Sequence, residues 1–320
     1  MGPMGAGIFL KSVLHAAGLC YQWVMKILHL LSQMPDFTGS GKYIQAVMTC
    51  ASAIGHDNAL VAGVHKDFSP HASVQLPEQT AFVKFETGEL DYPIPGMSDV
   101  MPYPSSVFST LTAEQIRTYK NEFKKVIVNA CEQFQPDIIH SHHLWLASSV
   151  ARTLFPKLPM VTTCHGTCLR QASLCPDIGE AVKDPCRSID RVMALSRIQK
   201  QQISEIHAID PGKIDVVGGG YNDRLFFGGE KPSQGPVEMV YAGKLSRAKG
   251  VPWLLRSLGQ IRHLPWRLHL AGSGSGKEKD ECLDLAAAFK EQVVVHGALS
   301  HADLAARMRK SHLFILPSFF

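Results

Sequence analysis

Hydrophobic positions follow two periods along this chain. Apolar runs of strand length alternate with segments in which apolar residues return at the spacing of one helix face. The strand-length runs lie at 27–31, 59–64, 81–85, 137–141, 160–163, 191–195, 214–217, 237–242, 266–271, 293–296 and 313–316. Strands that alternate with helices indicate parallel sheets, because each parallel connection needs a crossover.

Start signals support the helices between these runs. Thr112 and Gln115 have the spacing of a capping box before an amphipathic segment, and Ser300 and Asp303 repeat it. A third segment places five apolar side chains on one face, at Val251, Leu254, Leu255, Leu258 and Ile261. The pattern therefore predicts an α/β chain with long crossover helices.

A segment rich in Gly and Pro, 228–236, interrupts the series, which then restarts. We predict two doubly wound parallel-sheet domains facing a cleft, at 25–227 and 237–320, joined by this linker. Residues 1–24 are predicted to be an extension, disordered or non-native, because MKILHLLS at Met25 resembles a natural start. The second domain is predicted to be incomplete, because the buried-strand pattern LFILPSFF stops at Phe320.

Composition narrows the function classes. The chain has 320 residues, 45% of them hydrophobic and 19% charged, with a formal charge of +4. This charge is too small to indicate nucleic-acid binding. Eight cysteines are far fewer than a disulfide scaffold needs, and no apolar run reaches the ~18 residues of a membrane span. We therefore predict a cytoplasmic protein with no nucleic-acid partner.

The loop after the run at 237–242 concentrates positive charge. Lys244, Arg247 and Lys249 lie between a strand and a helix. Cations near a helix N-terminus oppose the helix dipole, but a diphosphate would attract both the cations and the backbone N–H groups. A solvated surface loop is the alternative.

Two further loops follow strands of the first domain. Gly39 and Gly41 in DFTGSGK allow close approach of a ligand, although Ile44 breaks the dinucleotide fingerprint and disfavours a nicotinamide cofactor. His165-Gly166 follows a strand and puts an imidazole at its end. A flexible turn and an ordinary core histidine are the respective alternatives. AGSGSGKEK at 271–279 lacks the first Gly and the Ser/Thr of a P-loop.

Clustered histidines and cysteines raise the question of a metal. His140 and His142 share a strand face, but no carboxylate accompanies them at metal-ligand spacing. The four cysteines in 164–186 do not have the spacing of zinc ribbons. We predict no metal site and interpret the histidines as polar residues at strand ends.

In combination, these segments resemble the retaining glycosyltransferases of family 4, which have the GT-B fold of two Rossmann-like domains. The resemblance covers about 25–320 and depends on the order of several segments: KILHLLSQMPDFTGSGKYI, PDIIHSHH, VTTCHGTCLRQ, VMALSRIQKQQI, IDVVGGGYNDRLF, YAGKLSRAKGVPWLL and LHLAGSGSGKE. It implies that the chain is an enzyme whose partners are a nucleotide diphosphate sugar donor and a hydroxyl acceptor, with no cofactor.

The resemblance also assigns roles to residues. It implies that Lys249 binds the donor diphosphate, with Lys244 in place of the usual Arg and Arg247 assisting. Gly39 and Gly41 would lie under the diphosphate and the sugar. His165 would be the catalytic-site residue beside the sugar.

Two departures from the family stand out. Cys168 occupies a position where Asp is expected in close relatives. The glutamate pair expected after Pro317-Ser318 is absent, so this chain is predicted to be inactive or nearly so.

Alternatives to transfer remain. A non-catalytic sugar-nucleotide binding protein and a GT-B sugar-nucleotide epimerase would share the architecture. The basic residues 117, 120, 124 and 125 offer contact with an anionic membrane surface, for which a solvated helix face is the alternative. The donor base, the sugar and the acceptor are not determined by these motifs.

Overall fold

A computed structural model of the chain describes residues 24–36, 38–70, 74, 76–98, 101–274 and 276–319. It divides into two compact units, Met1–Gly219 and Gly220–Phe320. The predicted linker at 228–236 and the predicted domain limits stay predictions. The predicted extension at 1–24 falls, up to residue 23, outside the described residues.

The first unit is built on a parallel sheet with the order β3-β2-β1-β6-β7-β8-β9. Its strands are β1 (Lys26–Leu31), β2 (Asp57–His65), β3 (Thr80–Phe85), β6 (Ile138–His142), β7 (Met160–Thr163), β8 (Arg191–Ala194) and β9 (Ile214–Val216). Two short strands, β4 (Pro95–Gly96) and β5 (Ser106–Val107), pair with each other. The order reverses at β1, so the carboxyl ends of β1 and β6 flank the point where such sheets bind ligands.

Helices connect these strands. They are α1 (Gly39–Ala53), α2 (Ala113–Phe134), α3 (Leu146–Leu154), α4 (Thr167–Leu174), α5 (Pro176–Arg187) and α6 (Arg197–His207). The predicted capping box of α2 is confirmed: the Thr112 side chain accepts from the Gln115 N–H, and Gln115 accepts from the Thr112 N–H. The helix packs a continuous apolar stripe against the sheet, with Tyr119, Phe123 and Ile127 almost fully buried.

The second unit has a four-stranded parallel sheet with the order β12-β11-β10-β13. Its strands are β10 (Val237–Ala242), β11 (Trp266–Ala271), β12 (Val293–Gly297) and β13 (Leu313–Phe314). Its helices are α7 (Val251–Gly259), α8 (Gly276–Ala287) and α9 (His301–Arg309). Both sheets are parallel and carry crossover helices, so the predicted α/β class with doubly wound sheets is confirmed.

Two local predictions need correction, and two helices were not predicted. Ile261 lies beyond the end of α7 and is partly exposed, because the helix ends at Gly259. The segment 313–316 forms a strand only at Leu313–Phe314, and both residues are about half exposed because β13 is an edge strand. The helices α4 and α5 were not predicted, although they fill much of 164–187.

Candidate active site

The carboxyl ends of β6 and β7 bring two predicted histidines together. His142 Nδ1 lies 3.0 Å from His165 Nε2, and the two rings are stacked with centroids 5.3 Å apart. The Tyr43 ring, from α1, meets both imidazoles edge-on, with centroid distances of 5.9 Å and 5.2 Å. Because three elements meet here, the His165 ring has a defined orientation at the end of the sheet.

An unusual backbone conformation follows β6. His143 has φ +71°, which is uncommon for a residue with a side chain. Its N–H donates to the Thr163 carbonyl at 3.0 Å, and its Nδ1 lies 3.3 Å from Thr167 Oγ1. These contacts from β7 and α4 hold the turn, and they join the loop after β6 to the loop that carries His165.

Burial keeps these imidazoles neutral. Loss of solvation, with repulsion from His143 and His140, lowers the pKa of His165 to about 2. The same causes hold the pKa of His142 well below 6.5. At pH 7, His165 therefore carries one ring proton, and its Nε2 already contacts His142. Its Nδ1 and its backbone carbonyl are the atoms left for a ligand.

The glycines of the loop after β1 differ from each other in their surroundings. Thr38 caps α1 by accepting from the Gly41 N–H at 2.9 Å. A Cβ on Gly41 would lie 2.6 Å from the Pro35 carbonyl oxygen, whereas a Cβ on Gly39 would meet no atom of the described residues within 4 Å. Gly41 is therefore required by backbone packing, and Gly39, at the first position of the helix, has no such constraint from the described part of the chain.

The basic loop of the second unit connects β10 to α7. Lys244 is exposed and Lys249 is half-buried, and α7 begins two residues after Lys249. Tyr241 Oη donates to the Lys244 carbonyl at 2.6 Å, and Lys249 Nζ donates to Ser318 Oγ at 3.4 Å. Both lysines thus lie on a fixed backbone at the carboxyl end of the sheet.

Arg247 has a different environment from the lysines. Its Nε donates to Glu281 Oε2 on α8 at 2.7 Å, and its backbone N–H donates to Glu278 at 3.2 Å. The hydrogen bond from Arg247 lowers the pKa of the Glu281 carboxyl. Arg247 would have to leave this exposed ion pair before it could bind a diphosphate.

A glycine-rich loop after β11 packs against the basic loop. A Cβ on Gly272 would lie 1.7 Å from the Gly243 carbonyl oxygen, and one on Gly274 would lie 2.8 Å from the Leu245 carbonyl oxygen. Leu245 N–H also donates to the Ser273 carbonyl at 3.0 Å. The glycines at 272 and 274 therefore allow two backbone loops to meet, as at the rim of a ligand site.

Sequence reasoning missed two residues of the first unit. His29 on β1 is paired with His140 on β6, and Tyr43 covers the His142 and His165 rings. Neither has a local signal, because their positions depend on the order of the strands and on the placement of α1.

The cysteine segment forms the helices α4 and α5 and a close thiol pair. Cys164 Sγ and Cys168 Sγ lie 3.5 Å apart. The hydrogen bond from Cys164, together with His143, lowers the pKa of Cys168, and the pKa of Cys164 is raised. Cys168 is fully buried, so in this chain the position where Asp was expected lies on the face of α4 that packs into the core of the first unit.

Comparison with known proteins identifies the family. A model of glycosyltransferase family 4 matches residues 95–225, and a model of group 1 glycosyl transferases matches 236–320; together they cover more than half of the chain. Glycogen synthase of Mycobacterium tuberculosis is 23% identical over 310 residues, which are 92% of this chain and 73% of the relative.

A second relative and a solved structure agree with this assignment. D-inositol 3-phosphate glycosyltransferase of Segniliparus rotundus is 27% identical over 255 residues, 71% of this chain and 56% of the relative. Sucrose-phosphate synthase from Thermosynechococcus elongatus superposes with a TM-score of 0.65 at 16% identity, over 92% of this chain and 76% of that one. The chain belongs to glycosyltransferase family 4, the group 1 glycosyl transferases, and is a glycosyltransferase of the GT-B fold.

Proposed function

We propose that this protein transfers a sugar from a nucleotide diphosphate sugar to a hydroxyl acceptor, with retention of the anomeric configuration and without a metal ion at the diphosphate. The observation that carries the proposal is the pair Lys244 and Lys249, which flank one turn at the carboxyl end of β10 beside the N-terminus of α7. Ligands of doubly wound sheets bind at this edge, and a helix N-terminus attracts phosphate.

The leaving diphosphate gains negative charge as the glycosidic bond breaks. Two ammonium groups and the backbone N–H groups at the helix start would stabilise that charge most strongly in the transition state. The hydrogen-bond partner of Lys249 Nζ is the neutral hydroxyl of Ser318, so a ligand phosphate could replace it with no carboxylate to displace. Arg247 has an assisting role in this proposal only when it is released from Glu281.

In the first unit, His165 would orient the transferred sugar. Its ring is neutral and its Nε2 contacts His142, so Nδ1 or the backbone carbonyl would contact a sugar hydroxyl. Gly39 would allow close approach of the donor, because no atom of the described residues lies within 4 Å of a Cβ added there. Gly41 would lie nearby, but its packing against Pro35 is a separate reason for a glycine.

Retention with no dedicated base is compatible with these residues. A donor phosphate oxygen would accept the proton of the attacking hydroxyl, while the new glycosidic bond forms on the face from which the diphosphate leaves. The neutral His165 has a pKa far below the value that suits a general base at pH 7. Its role in this proposal is therefore positional.

The test separates binding from transfer. Calorimetric titration with UDP, ADP and GDP should find one nucleotide that binds. Lys244→Ala and Lys249→Ala should each weaken that binding about 10–100-fold, since a hydrogen bond to a charged group contributes about 1.5–3 kcal/mol. Lys290→Ala, an exposed lysine in the turn before β12, is the matched control and should bind like the wild type.

Transfer is measured as the nucleoside diphosphate that is released from the matching sugar nucleotide. Binding that both lysine variants retain would contradict the proposal. Binding without release would be shared by a slow transferase and by a non-catalytic sugar-nucleotide binding protein, so only release over a broad acceptor panel identifies transfer. Altered sugar stereochemistry without release would favour an epimerase. The sequence predicts low turnover for this chain, and the same assay tests that prediction.

Location and membrane contact are further parts of the proposal. In the described part of the chain, no helix combines the length and apolarity needed to cross a bilayer. Along α2, Arg117 pairs with Glu114 and Lys125 pairs with Glu122, which favours a solvated helix face over a basic membrane contact. We propose a cytoplasmic location, on the basis of the reduced state inferred for the cysteines.

A further inference from the structure

Three buried histidines lie side by side on the β1 and β6 strands. His29 is paired with His140 in the parallel register, and His142 follows two residues later on the same face. One ring nitrogen of each histidine lies within 4.8 Å of the corresponding nitrogens of the other two. All three side chains are buried, so these nitrogens face each other away from solvent.

Each imidazole has one ring nitrogen in hydrogen-bond contact with a neighbouring residue. His29 Nε2 lies 2.9 Å from Asn58 Oδ1, and His140 Nε2 lies 2.8 Å from Thr163 Oγ1. His142 Nδ1 lies 3.0 Å from His165 Nε2. Metal-binding histidines have this arrangement, because a partner on the outer nitrogen fixes the ring orientation and the tautomer.

Two other ring nitrogens of these histidines lack a hydrogen-bond partner among the described residues. In the described part of the chain, His29 Nδ1 and His142 Nε2 are buried and have no hydrogen-bond partner. A buried polar atom without a partner is costly, and buried polar groups in folded proteins are normally satisfied. A ligand bound between the three rings would satisfy both atoms.

The protonation state suits a metal. Burial lowers the pKa of His29 to about 4 and that of His140 to about 3, and it also lowers the pKa of His142. The three imidazoles are therefore neutral at pH 7, so each keeps one ring proton and one lone pair, and a metal would bind the tautomers whose lone pairs lie toward the other two rings. Neutral imidazole is the form that binds metal ions.

We propose that His29, His140 and His142 form a binding site for a divalent transition-metal ion of the Zn²⁺ class. An all-imidazole set suits zinc and its neighbours, whereas Mg²⁺ and Ca²⁺ prefer oxygen ligands. Tetrahedral Zn²⁺ has Zn–N distances of about 2.0–2.1 Å, which place ligand nitrogens about 3.4 Å apart. The three nitrogens would therefore approach each other by at most about 1.4 Å.

The ion would also set the tautomer of His165. Coordination through His142 Nε2 leaves the proton on His142 Nδ1, which then donates to His165 Nε2. The remaining proton of His165 is thereby fixed on Nδ1. A role for the His165 tautomer in sugar binding rests on the proposed function, whereas binding of the ion by the three histidines does not. In that function the second unit would still bind the donor diphosphate without a metal.

The primary test uses Co²⁺ as a spectroscopic probe on the complete chain after chelator treatment. We expect one equivalent of Co²⁺ to give the intense visible bands of four-coordinate cobalt, with no thiolate charge-transfer band in the near ultraviolet. One equivalent of Zn²⁺ should displace it. Zinc at about 100 times its Kd should raise the melting temperature of the chain by roughly 5–10 °C.

Variants locate the ion. His29→Gln and His142→Gln should each lower Zn²⁺ affinity by about 100-fold or more, and Asn58→Ala, which removes an outer hydrogen bond, by about 10–100-fold. His207→Gln is the matched control. His207 is also buried, and neither of its ring nitrogens has a hydrogen-bond partner among the described residues, but it lies on α6. Its affinity should equal that of the wild type.

Three results would overturn the proposal: weak six-coordinate Co²⁺ spectra, a thiolate band that assigns the ion to Cys164 and Cys168, or wild-type Zn²⁺ affinity in His29→Gln. The Co²⁺ spectrum of the wild type decides the question even if a histidine variant fails to fold. Loss of nucleotide binding has no bearing on it, so this test and that of the proposed function fail separately.

Discussion

Gly41 offers a sharp test of why the loop after β1 contains two glycines. A Cβ at Gly41 would lie 2.6 Å from the Pro35 carbonyl oxygen and 2.9 Å from that of Met34, whereas ordinary contact begins at 3.4 Å. Both obstacles are backbone atoms, so relief requires a shift of α1 or of the preceding turn. Gly39→Ala is the matched control, because within 4 Å its Cβ meets no atom of the part of the chain that the structure describes.

The expected magnitude follows from two opposing terms. Overpacking costs about 1–3 kcal/mol, and contact with backbone puts Gly41→Ala near the upper end of that range. The better helix propensity of Ala offsets up to about 1 kcal/mol. The net loss of about 2 kcal/mol should lower the melting temperature by roughly 4–8 °C. Gly39→Ala should leave it unchanged or slightly raised.

Thermal and urea unfolding followed by circular dichroism measure both variants, and nucleotide titration separates packing from binding. If Gly39 lies under the donor, Gly39→Ala should weaken nucleotide or sugar-nucleotide binding at undiminished stability. A Gly41→Ala protein at least as stable as the wild type would refute the packing argument. Equal destabilisation by both substitutions would refute it as well.

Three further predictions concern the first unit. Thr112→Ala should lower the free energy of unfolding by about 1 kcal/mol in urea unfolding, because the Gln115 N–H loses its cap. Removing Asp190 by Asp190→Ala should cost about 2–3 kcal/mol in the same assay, since it strips the buried Arg152 guanidinium of its carboxylate at 2.6 Å. This loss of stability is smaller than that expected for a fully buried ion pair, because the Asp190 side chain is 56% exposed. An Asp190→Ala protein as stable as the wild type would contradict the prediction. Acid should also destabilise the chain: the pKa of His29 falls from 6.5 in the unfolded chain to about 4 in the fold, so the unfolded form takes up the proton first. The contribution of neutral His29 to the free energy of unfolding is fully present above pH 6.5 and is lost as the pH falls towards 4. The loss amounts to about 2 kcal/mol by pH 5. Chelator-treated wild type and His29→Gln, unfolded in urea at pH 7 and pH 5, should differ by this amount in their pH dependence, and equal slopes would contradict the argument.

Local signals predicted the fold well. The apolar runs that became β1, β7, β10 and β11 are bounded by turn residues, and their strands begin and end within a residue of the predicted limits. The capping box at Thr112 is equally local, since its hydrogen bonds join residues three positions apart. Such features depend on neighbours in the sequence and can be predicted from it.

The helices α4 and α5 were not predicted from the sequence. Pro176 stands at the first position of α5, where a missing N–H costs nothing. Pro185 lies inside the same helix near its end. The short α4 and α5 are stabilised mainly by burial of Leu169, Ile178 and Val182, which no spacing rule isolates in so short a segment.

The histidine cluster could not be predicted, because it depends on register. His140 and His142 share a face by their spacing alone, which the sequence shows. The third member, His29, lies 111 residues before His140 and reaches it only because β1 and β6 are neighbours in the sheet order. Without the strand order, two histidines with no nearby carboxylate argued against a metal.

The contact between Gly250 and Pro317 has a consequence for the evolution of this chain. A Cβ on Gly250 would lie 2.0 Å from the Pro317 carbonyl oxygen, and the next residues continue the contact through Ser318 and through the Phe319 N–H bond to Ala248. Residues 248–250 and 317–319, nearly seventy positions apart, therefore constrain one another. The contacts at Gly250 and Phe319 are made to backbone atoms, so related proteins should keep a glycine at 250 whatever residue stands at 317. Only the side-chain pair Lys249 and Ser318 is expected to change together.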